Sequence, residues 1–143
     1  EIGFVGYDNG KISEGTNIED AVTFANKSNI DAMAISVGNT HLQTSKKANI
    51  DFKKINLIEA KTKIPLVLHG SSGIPVEQRK KLSRKTKVAK LNIGTEIRMT
   101  FGEALRKNLK NNPKTYDRLQ LLKPTIKELT KVTKKIIRQI GPN

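Results

Sequence analysis

The chain carries two histidines, and each sits where a short apolar run meets small polar residues. His41 closes Gly38-Asn39-Thr40-His41, and His69 opens His69-Gly70-Ser71-Ser72-Gly73. A third cluster, Asn92-Ile93-Gly94-Thr95, follows a further apolar run. Two imidazoles on neighbouring strand tips can share a zinc ion, whose borderline-soft character suits nitrogen. A catalytic zinc takes three protein ligands and keeps one position open. Glu1 is the remaining candidate, the alternative being a frayed surface acid. The two glycine-containing clusters offer backbone N–H groups and hydroxyls at helix starts, where unpaired donors and the helix dipole favour an anion such as phosphate. Singly, each is an ordinary turn or cap; together they point to a metal-plus-phosphate site.

These residues need a scaffold that delivers them to one edge. Ile18, Ala21, Val22 and Ala25 have helical spacing behind an Asn17 cap. Asp31–Val37 is a nearly apolar run, as expected of a strand buried on both faces. Asp51 caps a helix carrying Phe52, Ile55, Ile58 and Ala60, and Ile64–Leu68 forms the next strand. Pro75 suits the first turn of a helix with Val76 and Leu82. Val88–Ile93 alternates as a third strand, and Thr95 opens a helix to about Leu109. After a break at Asn111-Asn112-Pro113, a last helix is expected from about Pro124 to Gln139, with Ile126, Leu129, Val132, Ile136 and Ile140 on one face. Strand and helix alternating at about 30 residues per unit call for a parallel sheet with helical crossovers. Such sheets place their chemistry at the C-terminal strand ends, where all three polar clusters fall.

Composition narrows the classes. The 143 residues include no Cys, which excludes a disulfide scaffold, a thiolate zinc finger and a cysteine nucleophile. No run approaches the ~20 apolar residues of a membrane helix. Glu1-Ile2-Gly3 does not read as a signal peptide, and without an initiator Met the chain reads as a piece of a longer polypeptide. Residues 1–75 balance eight Lys against eight acids, so the whole net charge of +14 lies beyond Pro75. A basic surface attracts phosphate, on a metabolite or a nucleic acid; the plainer alternative is a solvated, lysine-rich helix surface. Aromatic residues are 4% and do not interleave with the basic ones, which argues against stacking on single-stranded nucleic acid.

Val67–Pro75 (VLHGSSGIP) closely resembles the VLHGGSGIP segment of the class II, zinc-dependent ketose-bisphosphate aldolases. Lys90–Arg98 is similar to their KINIDTDLR segment, Ala34–His41 to AVAIGTSH, and Glu1-Ile2-Gly3 to the ELG that ends an earlier strand. Asp31 to Arg98 matches in order and spacing, and weaker similarity covers nearly the whole chain. The resemblance implies a (β/α)8 barrel, of which residues 1–143 form one partial domain: about strands 5–8 and the closing C-terminal helices, without the first half. It implies zinc-dependent cleavage of fructose or tagatose 1,6-bisphosphate to dihydroxyacetone phosphate and glyceraldehyde 3-phosphate. Zinc acts there as the Lewis acid, so no Schiff-base lysine is needed. His41 and His69 match two of three zinc histidines, and Glu1 a glutamate that binds metal in some members. Gly70, Ser71 and Ser72, with Asn92, Ile93, Gly94 and Thr95, match the segments that hold dihydroxyacetone phosphate. Arg118 resembles an arginine near the second phosphate. A monovalent cation in addition to zinc, a cytoplasmic setting and a dimer or tetramer of the complete barrel are implied as well.

Two departures bear on substrate. Leu42 stands where the family has Gly after its zinc histidine, and the GGEEDG loop appears only as Gly6-Tyr7-Asp8-Asn9-Gly10. The family's proton-donating Asp and first zinc His have no counterpart here, so no catalytic acid–base residue is expected in this chain, and the 143 residues alone are not expected to cleave substrate. Apolar residues of Asp31–Val37 or Leu66–Leu68 are accordingly expected to be exposed unless another chain covers them. The rivals are a basic nucleic-acid-binding module and a divergent half-barrel without activity.

Overall fold

The computed structural model describes residues 1–4, 7, 8, 11, 12 and 14–141. A short antiparallel ribbon of β1 (Tyr7–Asp8) and β2 (Lys11–Ile12) precedes α1 (Ile18–Lys27). Of the loop at residues 6–10, Gly6, Asn9 and Gly10 lie outside the described residues. The chain continues through β3 (Met33–Ile35), α2 (Phe52–Lys61), β4 (Leu66–Leu68), α3 (Val76–Lys85), β5 (Val88–Leu91), α4 (Thr95–Asn111) and α5 (Arg118–Ile140). The last three strands make a parallel sheet in the order β3–β4–β5, as the strand–helix alternation requires.

Local chemistry sets the helix starts. The side chains of Asn17 and Asp51 accept the N–H groups of Asp20 and Lys54 at 3.1 and 2.8 Å, capping α1 and α2. The helices lay Ala21, Ile55, Ile58 and Leu82 against Met33, Ile35, Leu66 and Leu68, all fully buried. The strands are shorter than the apolar runs that suggested them, with Ser36, Val37, Asn92 and Ile93 passing into the loops beyond β3 and β5.

Three expectations are corrected. None of the residues of β3 and β4 is exposed: all are buried except Ala34, which is half-buried. Each of these strands has a neighbour on both sides: the Ile2 N–H donates to the Ala34 carbonyl at 3.0 Å, and Ile2 bridges Ile35 in parallel beyond β3. The exposure falls on β5 instead. There Leu66 pairs with Val88 but Val67 with Lys90, so Ala89 is one residue too many. Ala89 and Lys90 are consecutively exposed, which breaks the alternation read from sequence.

The third correction concerns α5, which starts at Arg118, six residues before the expected Pro124. Asp117 caps it by accepting the Leu119 N–H at 2.8 Å. Pro124 therefore lies inside a helix, where it cannot donate to the carbonyl one turn back. The Asn108 amide of α4 fills the gap, donating to the Gln120 and Leu121 carbonyls at 3.4 and 2.7 Å.

Candidate functional site

At the C-terminal ends of β3, β4 and β5 the loops surround a cleft of about 460 Å³. His41, Leu42, His69, Gly70, Ser72, Asn92, Ile93, Gly94, Thr95 and Arg98 line it. The backbone explains why they meet. Gly70 has φ 61°, and a Cβ there would collide with the Thr40 carbonyl, so the loop after β3 lies directly on the turn after β4. Buried Asn39 ties the two together, donating to the His69 carbonyl at 3.0 Å while accepting the Val37 N–H at 2.7 Å.

The imidazoles of His41 and His69 face one another with ring centroids 5.8 Å apart and planes tilted by 57°. His69 Nε2 is 3.9 Å from Glu1 Oε2. The Asn92 amide meets His69 Nδ1 at 2.9 Å and fixes the ring. The amide NH2 donates, so Nδ1 is the accepting nitrogen in this arrangement. Two nitrogens and a carboxylate oxygen suit the chemistry of zinc. Among the described residues no three His, Cys, Asp or Glu close into a metal cage. The described residues thus fit two positions of a zinc site, with Glu1 beside them.

Two residues after His69 comes the 3-10 turn Ser71–Gly73. Ser72 is the residue of this turn that reaches the cleft. Its Oγ accepts the Glu96 N–H at 3.1 Å and so caps α4, whose own N-cap, Gly94, has no side chain to do it. The Ser72 hydroxyl proton stays available to a ligand. Ser71 differs from expectation: it is fully buried behind the cleft, its hydroxyl donating to the Leu68 carbonyl at 3.0 Å and its N–H to the Asn92 carbonyl at 3.1 Å. Both polar groups hold the turn to the strand ends. Arg118, exposed at the start of α5, does not line this cleft; Arg98 of α4 does.

Sequence reasoning assigned no role to Arg98 or Arg79, and marked Leu42 only as a departure from the family's glycine. Leu42 is the single non-glycine residue with positive φ (56°) among those described, and it is 74% exposed at the cleft mouth. Below the cleft, Glu96 accepts from Arg79 at 2.6 Å and from Lys46 at 3.1 Å. Burial alone would push its carboxyl up, but the two hydrogen bonds and cationic charges outweigh it and hold the carboxyl below its ordinary value.

A family model described as fructose-bisphosphate aldolase class-II matches residues 1–143. A 6-phospho-5-dehydro-2-deoxy-D-gluconate aldolase from Bacillus licheniformis is 33% identical over 146 residues, covering 99% of this chain and 49% of that protein. The YdjI aldolase from Escherichia coli K12 superposes with TM-score 0.65 at 25% identity, over 88% of this chain and 44% of that one. A putative fructose-1,6-biphosphate aldolase from Coccidioides immitis superposes with TM-score 0.74 at 18% identity, over 96% and 50%. The chain spans about half the length of the relatives it matches.

Proposed function

Because the chain belongs to the class-II fructose-bisphosphate aldolase family over all of its 143 residues, we propose that it forms the C-terminal part of a zinc-dependent aldolase acting on a phosphorylated ketose. The observation that carries this is the facing pair His41 and His69 in one cleft with the Ser72 turn and the start of α4. His41 and His69, with Glu1 beside them, would hold zinc in part, and zinc bound there would supply the Lewis acid for the substrate ketone.

The chain's own residues do the rest. The Ser72 hydroxyl, the turn and the start of α4 take the phosphate of dihydroxyacetone phosphate, because unpaired donors and the helix dipole meet there. The Arg98 guanidinium adds a positive charge to the same cleft. Asn92 orients His69. Strands 5–8 of the barrel are then Ile2 with its upstream residues, β3, β4 and β5. The first half brings the missing histidine and the aspartate that moves the proton. Fructose and tagatose 1,6-bisphosphate are the substrates proposed, and the Bacillus relative adds 6-phospho-5-dehydro-2-deoxygluconate as a third to assay. The enzyme is expected to work in the cytoplasm as a dimer or tetramer, with a monovalent cation in addition to zinc.

The test is zinc and dihydroxyacetone phosphate binding by the purified chain, followed by aldol cleavage with and without a separately supplied first half. His41→Ala and His69→Ala should each lower zinc affinity at least tenfold, roughly the loss of one ligand's orientation or more. Cleavage by the 143 residues alone would refute the half-barrel assignment. Failure to bind either zinc or the phosphate ester would refute the aldolase.

A further inference from the structure

Arg79 is an arginine of α3 with no exposure at all. It lies outside the cleft, so the site described above gives it no role. Four of its hydrogen bonds are defined: Nε donates to the Ser71 carbonyl at 3.2 Å, Nη2 to the Ser72 carbonyl at 2.8 Å and to Glu96 Oε2 at 2.6 Å, and Nη1 to Gln139 Oε1 at 3.3 Å. These use four of the five N–H groups a guanidinium has. A position that only needed filling would favour an apolar side chain, since burying a charge costs more than its pairing returns in many cores.

What the guanidinium grips is the anion-binding turn itself. Peptide groups are planar and trans, so the C=O of Ser71 and the N–H of Ser72 point in opposite directions, as do the C=O of Ser72 and the N–H of Gly73. Drawing both carbonyls onto Arg79 turns both N–H groups away from α3: that of Gly73 closes the turn on the Gly70 carbonyl at 3.4 Å, and that of Ser72 is left for a ligand. Through Glu96, which the Ser72 hydroxyl caps, the same side chain also fixes the first turn of α4. Lys46 on the other oxygen of Glu96 brings in the loop that carries His41. The fork geometry matters here, because lysine has a point charge and cannot hold two carbonyls and a carboxylate in one plane.

We propose that Arg79 is a positioning residue: from beneath the sheet ends it holds the Ser71–Ser72 turn and the α4 start in the orientation that receives the substrate's phosphate. This rests on the aldolase reading for the identity of the ligand, though not for the geometry. The test measures inorganic phosphate affinity of the full chain by amide chemical shifts of Ser72, Gly73 and Thr95, and zinc affinity separately. Arg79→Met should weaken phosphate at least tenfold, the equivalent of about one hydrogen bond to a charged group. Arg79→Lys, which keeps the charge, should recover part of this and remain about threefold weak, since it loses the fork but not the attraction. Zinc affinity should change less than twofold in both, because Arg79 touches neither histidine. Leu82→Ala is the control, a core truncation on the same helix that leaves the turn's contacts alone and should leave phosphate affinity unchanged. If Arg79→Met does not fold, Arg79→Lys decides. Wild-type affinity in the Lys variant overturns the proposal, as does equal weakening by Leu82→Ala. If the wild-type chain binds zinc but no phosphate, the anion site falls, and Arg79's role with it.

Discussion

Leu42 holds a conformation that ordinarily costs an L-residue about 1–2 kcal/mol, and 74% of its surface faces solvent, so little packing offsets it. Leu42→Gly should therefore leave the urea midpoint unchanged or raise stability by up to about 1 kcal/mol, against the 0.5–1 kcal/mol loss usual for a new glycine. A clear loss would show that Leu42 packs on something in solution. Glu96 gives a pH signature. Its native pKa is lowered, so its pairing with Arg79 and Lys46 contributes fully above the ordinary carboxylate range and is lost as pH falls through the lowered native value. Glu96→Gln should narrow the stability gap to wild type across that acid window, and a gap constant from neutral to acid pH would deny the linkage. At this scale sequence reading singled out His41, His69, Ser72 and Asn92–Thr95, which the loops after β3, β4 and β5 bring to one cleft. It failed for Ser71, whose neighbour points the other way, and for Arg98 and Arg79, because which face of a helix meets the cleft depends on packing that spacing does not encode.

Among the elements, the strand–helix order was legible because apolar periodicity switches cleanly between the two kinds of segment. The start of α5 was not. Pro124 resembles a first-turn proline, and only the Asp117 cap with the Asn108 amide on the far helix lets the helix run through it. Asn108→Ala should therefore loosen one end of α5 selectively. Amide exchange should accelerate over residues 118–123, by roughly the fivefold expected from losing about 1 kcal/mol of hydrogen bonding. Protection near buried Ile136 should persist. Uniform acceleration along α5 would mean the helix opens as one unit and the amide is no local brace.

For the molecule as a whole, charge and sheet act together. The +14 resides entirely after Pro75, on the half that ends in α4 and α5, and its surface attracts anions whatever the cleft selects. Among the described residues the outer side of β5 carries no paired strand. An open β edge is a template for other chains, and natural proteins blunt such edges with lysine and with bulges. The irregular pairing at Ala89 places both devices on this strand, side by side with Lys90 exposed. The bulge and Lys90 together are thus expected to govern shelf life as well as shape, keeping concentrated solutions of the chain clear rather than fibrous. Lys90→Val should promote time-dependent light scattering and thioflavin fluorescence at high protein concentration, with little change in the unfolding midpoint. A variant that stays clear for as long as wild type would locate the protection elsewhere, in the repulsion between strongly basic molecules.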